Sequence, residues 1–507
     1  MLNSKRLKTK PAEQGELLPT YLSDLIEEDH PARIMSAIVD TLDLSVLYTK
    51  YSWEGGETYH PQSMLKILFY GYAHGVRSSR KLSQACRENF VYMYLASGVR
   101  PDFRTISLFR KNNFDILKEI FKQIVKLCYE LEMISFGTIC LDGTKIKANV
   151  SRYRMVNKDK LEEMMDKIDQ EIEDILGDAE ETDALEDEAY GECNDGTEIP
   201  EKLKTAKGRK EAIEKLLKEL KEKNIKRMSL TDKDSRVMRS NGRCGFSYNG
   251  QCATENQVIL AYDLTNQEYD TGQFVPMVEH VENLAGSLNG KEEYPLEATK
   301  VLADSGYDSG NNLAYLHERK IEGYVNNQMQ SVYKKEKRGE IPPKPFAKNK
   351  FSYLKKGDHY LCPAGEKLYP IGKRINRMKT YVRNEVVYKC RTCHDCGHQR
   401  ECVKSKSGYR QIKRILEYDQ YREEIDKRLK TDIGKAIMKK RKIDIEPVFG
   451  QMKTITYHQN KTLFRGTEKV KGEFGLACIA HNLRKMISYL KSSENEKNIS
   501  NIYAFSV

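Results

Sequence analysis

Asp142, Asp304 and Glu446 stand in three short stretches, ICLDGTKIKAN, KVLADSGYDSGNN and RKIDIEPVFGQMK, spread across 507 residues. Two carboxylates at strand ends and a third on a helix supply the hard oxygen ligands with which a pair of Mg²⁺ ions cuts and joins phosphodiesters. A lone Asp after a strand is more often a turn or cap residue. The chemical reading therefore rests on the three acids together.

The elements that must position them follow from the hydrophobic pattern. Apolar, β-rich runs at Phe136–Leu141 and Val301–Ala303 precede the two aspartates, so each Asp is expected where a strand meets its loop. Around Glu446, the residues Ile443, Val448, Phe449 and Met452 set a helical pattern, which accommodates Pro447 if that residue lies in the first turn. Glu446, Gly450 and Lys453 then share a face at i, i+4 and i+7. A lysine there can hold a phosphate, and the glycine lets a backbone come close. Further strands are expected at Gly245–Thr254, Val258–Leu264 and Gly323–Asn326. An amphipathic helix through Val275, Val278, Val281 and Leu284 precedes the Asp304 strand. Cys478 and His481, in GLACIAHNLRKM, read as packing residues.

Residues 20 to 125 read as helices, with basic and small residues between them as in HGVRSSRKLS, which suits a compact domain of helix-turn-helix type. Residues 155–234 read as a helical-hairpin insertion. Leu161, Met164, Met165, Ile168, Ile172, Ile175 and Leu176 form one apolar stripe, and Ile213, Leu216, Leu217 and Leu220 form another. This insertion serves either structure or dimerisation.

A second insertion, 331–424, holds a cysteine cluster: Cys362 in YLCPAGEKLYP, then Cys390, Cys393, Cys396 and Cys402 in YKCRTCHDCGHQREC. Cysteines two residues apart bring both sulfurs to one tetrahedral Zn²⁺. The preferred ligands are Cys362, Cys393, Cys396 and Cys402, with Cys390 the alternative and His394 and His398 possible substitutes. The plainer alternative is a loop of reduced thiols. Such a zinc would serve folding or DNA contact, because a closed four-ligand site leaves no position for catalysis.

A formal charge of +11 suits a polyanionic partner, and it is unevenly spread. Residues 161 to 201 carry 18 Asp or Glu and one Lys, whereas Lys427–Lys442 holds eight Lys or Arg against Asp432 alone. No secretory signal or membrane-length apolar run is present, and 12 irregularly spread cysteines do not form a disulfide framework, so a cytoplasmic protein is expected.

Taken in order, several stretches resemble the DDE transposases of bacterial insertion sequences, most closely the group named IS-eleven-eighty-two within the IS-four-like set. They are YHPQSMLKILFYGYAHGVRSSRKLSQAC from Tyr59, RPDFRTISLFR from Arg100, LDGTKIKAN from Leu141, LTDKDSRVM from Leu230 and FSYNGQCATENQVILAYDLTN from Phe246, then LADSGYDS from Leu302 and IEPVFGQMK from Ile445. The resemblance spans about Tyr59 to Met486. It implies that Asp142, Asp304 and Glu446 are the catalytic acids and that Lys453 is the lysine seven positions after the glutamate. The family's terminal motif carries a Tyr and an Arg before the glutamate; the Arg position here is Lys442 beside Arg441, and the Tyr position is Lys439 or Met438.

The resemblance further implies a multidomain α+β chain. Residues 1–130 would form a helical DNA-binding domain, with Arg77, Arg80, Lys81 and Arg104 touching transposon ends. Residues 131–154, 235–330 and 425–490 would form an interrupted RNase H-like catalytic core, and 491–507 a tail. Lys145, Arg441 and Lys442 would contact DNA, as could Asn149, Ser305 and Tyr307. Two Mg²⁺ or Mn²⁺ ions roughly 3.5 to 4 Å apart would activate the attacking water and stabilise the leaving 3′ oxygen. The freed 3′-OH would then attack target DNA, within a homodimer bridging both ends. Two other classes differ in outcome: an RNase H-like nuclease without strand transfer, and a DNA-binding protein that has lost catalysis.

Overall fold

The computed structural model describes residues 21–51, 58–151, 155–166, 206–240, 242–290, 296–377, 382–405, 407–458 and 461–492. Its centre is a mixed sheet built on strand β1, Thr138–Lys147. Short strands β2 (Met155–Asn157), β3 (Arg227–Ser229) and β4 (Arg236–Ser240) precede β5 (Arg243–Glu255) and β6 (Val258–Thr265). Then come β7 (Lys300–Ala303) and β8 (Glu322–Val325). β5 runs antiparallel to β1 and to β6, while β7 is parallel to β1 and to β8. The resulting order, β6-β5-β1-β7-β8 with β4 beside the start of β5, is compatible with an RNase H-like core.

Asp142 was expected where its strand ends, and the structure corrects this. β1 continues to Lys147 because the 13-residue β5 pairs with it through Lys147↔Ser247. What ends at Leu141 is the parallel pairing, whose last pair is Leu141↔Ala303. Asp142 and Asp304 are each the next residue, so register alone sets them side by side.

The helices are numbered in chain order. The longer helices of the N-terminal group are α1 (Pro31–Asp40), α2 (Pro61–Ala73), α3 (Ser79–Glu88), α4 (Phe103–Asn112) and α5 (Phe114–Glu130). The first insertion holds α6 (Lys158–Asp166) and α7 (Ala206–Glu222). Later in the chain come, among others, α8 (Phe274–Leu288), α9 (Gly310–Glu318), α10 (Leu416–Lys430), α11 (Asp432–Gln451) and α12 (Thr467–Leu490). α12 is the hub: it is buried along most of its length and packs on α2, α5 and β6. Through it one continuous apolar core joins the N-terminal helices to the sheet, so the N-terminal region has no core of its own. Cys478 and His481 lie inside this core. His481 Nε2 bonds the Gln257 carbonyl at 2.8 Å, and burial pushes its pKa down to about 4.

Each insertion has a separate small core. The β2–β3 pair closes the base of the first, where Leu161, Ile213 and Leu220 pack with Val156 and Met228. The expected stripe members Met164, Met165, Ile168, Ile172, Ile175 and Leu176 lie outside the residues whose side chains are described. The second insertion is an antiparallel sheet that the cysteine pattern did not foretell. Its five strands are β9 (Ser352–Leu354), β10 (His359–Leu361), β11 (Lys367–Arg377), β12 (Val382–Cys390) and β13 (Gln411–Ile415). Tyr360, Leu368, Tyr388 and Ile412 fill its core. Among the described residues, no helix is long and apolar enough to cross a membrane.

Candidate active site

Glu446 reaches the sheet from α11, whose start explains why the local reading of Pro447 fails. The helix begins at Asp432, capped by Thr431 Oγ1 accepting from the Gly434 N–H at 3.0 Å, which leaves Pro447 deep inside it. Proline cannot donate to the carbonyl four residues back. That carbonyl, Ile443 O, instead accepts from Gln257 Nε2 at 2.9 Å. Gln257 sits with Asn256 in the β5–β6 turn, both at positive φ. Asp444 completes the tether: it is buried and accepts from Thr254 Oγ1 (2.6 Å), Asn256 N (2.7 Å) and Gln257 N (3.1 Å). The sheet thereby fixes the helix one turn from Glu446.

Arg441 points inward between the acids. Its Nη2 lies 2.7 Å from Asp142 Oδ2 and its Nη1 3.6 Å from Glu446 Oε1. It is 7% exposed and its buried Nε has no partner. Its guanidinium is thus engaged in ion pairs within the chain. Lys442, by contrast, is exposed. Lys435, Lys439 and Lys442 are all exposed and, with Glu446, recur at helical spacing along one face of α11.

Asp142 Oδ1 accepts from the Gly143 N–H at 2.8 Å, and Asp304 Oδ1 from the Gly306 N–H at 2.7 Å. Burial pushes the Asp142 carboxyl up to about 7, with Arg441 pulling it down and Asp304 raising it further. Burial also raises Asp304, opposed by the Gly306 N–H and by Arg441. Lys453 lies in a π-helical turn, Met452–Thr456, that follows α11. Burial lowers its pKa and the Asp142 charge opposes that shift.

Other expected DNA contacts are used internally. Arg77 is buried, 2.6 Å from Glu473 of α12 and 4.7 Å from the Tyr457 ring centre. Tyr307 is buried, and its hydroxyl donates to Gln251 Oε1. Lys145 donates to Glu268 O at 2.6 Å and sits 3.3 Å from Asp270. Asn149 donates to Leu463 O. Arg80 and Arg104 are exposed and flank the Phe103 ring at 5.0 and 5.7 Å, and Lys81 is exposed beside them. Ser305 is half-buried.

The donor set fits a hard divalent cation in type, since all of its candidate ligands are carboxylate oxygens. Among the described residues, however, no three His, Cys, Asp or Glu are drawn together closely enough to share one ion. Arg441 occupies the space between Asp142 and Glu446. The same holds for the cysteines, although all five line one cavity of about 20 Å³. Cys362 Sγ accepts from the Glu366 N–H and Cys393 Sγ from the Arg410 N–H, each at 3.3 Å. His394 and His398 are outside that lining, and Cys390 is inside it.

Sequence reasoning missed Asp270, Asp444, Asn249 and Gln251. One available signal was the pair of amides two residues apart in FSYNGQCATE, because buried amides on an otherwise apolar strand must have partners.

A family profile described as "Transposase DDE domain" matches residues 361–487, which include Arg441, Glu446 and Lys453. A second, described as "Transposase domain (DUF772)", matches residues 20–112, the region of α1 to α4. Asp142 and Asp304 fall between the two matches. No curated protein matches the chain.

Proposed function

We propose, for a chain whose two matched regions are those of an insertion-sequence DDE transposase with an N-terminal transposase domain, that Asp142, Asp304 and Glu446 carry metal-dependent cleavage of element ends and transfer of the freed 3′-OH into target DNA. The observation that carries this reading is the register Leu141↔Ala303, which sets two carboxylates side by side under a helix bearing the third. Divalent ions bound there would supply an activated water and stabilise the leaving oxygen. Arg441 neutralises Asp142 and Glu446 and can turn to a DNA phosphate. Lys453, half-buried in the turn that follows α11, holds a phosphate next to the scissile bond. Lys435, Lys439 and Lys442 form an exposed track for the duplex backbone leading to Glu446. Arg80, Lys81 and Arg104 serve a more distant stretch of the ends, and two copies of the chain act together so that both ends are cut in one assembly. The cysteine insertion holds a structural Zn²⁺ through four of its five sulfurs, with the Glu366 and Arg410 N–H groups directed at Cys362 and Cys393.

The test is a cleavage and joining assay with Mg²⁺ or Mn²⁺ on the DNA flanking this gene, comparing wild type with Glu446→Gln. Boundary cleavage followed by joining, lost in the variant, is the expected result. Cleavage without joining would favour a nuclease, and end binding without any cleavage a DNA-binding protein.

A further inference from the structure

Asp270 lies in the connection between β6 and α8, and the loops of both catalytic aspartates are built around it. Its Oδ1 accepts from Asn249 Nδ2 at 2.7 Å and Gln251 Nε2 at 2.8 Å, with Lys145 Nζ at 3.3 Å. Asn249 and Gln251 are fully buried on β5, opposite Lys145 and Gly143 in register. A β carbon on Gly143 would fall 2.5 Å from Asp270 Oδ1 and 2.3 Å from Gln251 Nε2. The residue after Asp142 must therefore be glycine for Asp270 to approach.

On the other side the Asp270 loop is joined to the Asp304 loop. Thr271 Oγ1 donates to Gly306 O at 2.9 Å, and Asn312 Nδ2 bridges Thr271 O and Tyr307 O. Gln251 also takes the Tyr307 hydroxyl. Asp270 Oδ2 accepts from no described residue, and it faces the Asp304 side: a β carbon on Gly306 would lie 2.9 Å from Asp304 Oδ1 and 3.6 Å from Asp270 Oδ2. A buried orphan sits alongside. Asn249 Oδ1 is buried without a partner, 3.1 Å from the same Gly143 position that Asp270 Oδ1 crowds.

From this geometry we propose that Asp270 is a further cation-holding residue, whose open Oδ2 serves with Asp304 as an oxygen donor to a divalent ion, while its Oδ1 network fixes Lys145 and both aspartate loops. The proposal rests on the metal-dependent reading of Asp142, Asp304 and Glu446, and extends the acid set to four. Gln251 acts as a positioning residue, because it holds Asp270 and Tyr307 at once.

Mn²⁺ binding to the full chain without DNA, read by electron paramagnetic resonance, separates the two claims. Wild type is expected to bind Mn²⁺, and the isosteric Asp270→Asn to bind it at least tenfold more weakly while melting as wild type does in metal-free buffer. Failure of wild type to bind Mn²⁺ without DNA would overturn the role given to Asp270, whereas the metal-dependent reading would fall only if cleavage of the element ends needed no divalent metal. Wild-type binding matched by equal binding in Asp270→Asn would overturn only the role given to Asp270. Should Asp270→Asn not fold, wild type loaded with Fe²⁺ and treated with ascorbate and peroxide decides the matter. Backbone cuts near 270 as well as near 142 and 304 support the proposal, and cuts confined to the latter two refute it.

Discussion

Replacing Asp444 by Ala should cost more stability than removing any exposed acid of the chain and should silence the site without touching a proposed ligand. The carboxylate takes three hydrogen bonds from Thr254, Asn256 and Gln257 and is 2% exposed. Bonds to a charged acceptor contribute about 1.5 to 3 kcal/mol each, and Thr254 can rotate to a new partner while the two backbone N–H groups cannot. Partial access of water to the turn lowers the total, so Asp444→Ala should lose about 3 to 5 kcal/mol. Asp444→Asn keeps the shape but sets an NH₂ against one N–H, and should lose about 1 to 3 kcal/mol. Urea unfolding followed by far-UV circular dichroism gives the stabilities, and Mn²⁺-dependent cleavage gives the activity. With its tether gone, α11 no longer holds Glu446 and Arg441 against Asp142, so cleavage should fall with stability in the order Asn, then Ala. A loss below about 1 kcal/mol for Asp444→Ala, or wild-type cleavage by it, would refute the tether.

Arg77→Met leaves Glu473 charged in a fully buried position and should cost about 3 to 5 kcal/mol, read by the same denaturation, whereas the exposed Lys81→Ala should change stability by less than about 0.5 kcal/mol and weaken end binding in a salt-dependent way. Purified protein should carry one zinc per chain by mass spectrometry, and paired Cys393→Ser and Cys396→Ser changes should abolish it; a metal-free wild type would reject the zinc site. Asp142 is raised in the folded state to about 7 from the ordinary carboxylate value of 3.8, so between those values the native protein holds the extra proton and metal-free stability falls as pH rises. A cation must displace that proton, so Mn²⁺ affinity should climb up to about tenfold per pH unit below about 7 and level off above it, and a flat titration would contradict the burial assigned to Asp142.

The β5, β6, β7 and β8 strands and α8 were legible because their apolar patterns are local and unbroken, and the three acids because each follows or interrupts such a pattern. What remained hidden was decided by partners far away in sequence. Arg77 stands in HGVRSSRKLS, which reads as surface until Glu473 is brought to it from nearly 400 residues on. Pro447 obeys the rule for a first turn, and only the Thr431 cap upstream and the Gln257 side chain show it to be interior. β1 seemed to stop at Leu141 because Gly143 and Lys145 look like loop residues, yet a long antiparallel partner carries the strand past them. Strands of three residues, such as β2, β3, β9 and β10, are too short to show a period. Arg441 and Lys442 are adjacent cations with opposite fates, set by which side of α11 meets Asp142.

The central claim is that Asp142, Asp304 and Glu446 converge on divalent metal when DNA is present. Anomalous scattering from Mn²⁺ in crystals of the chain bound to its element ends measures this directly. The account predicts manganese peaks between the three carboxylates, with the Arg441 guanidinium moved from Asp142 towards a phosphate. Ordered DNA at the site with no manganese there, or with the 2.7 Å Arg441–Asp142 pair intact, would contradict it.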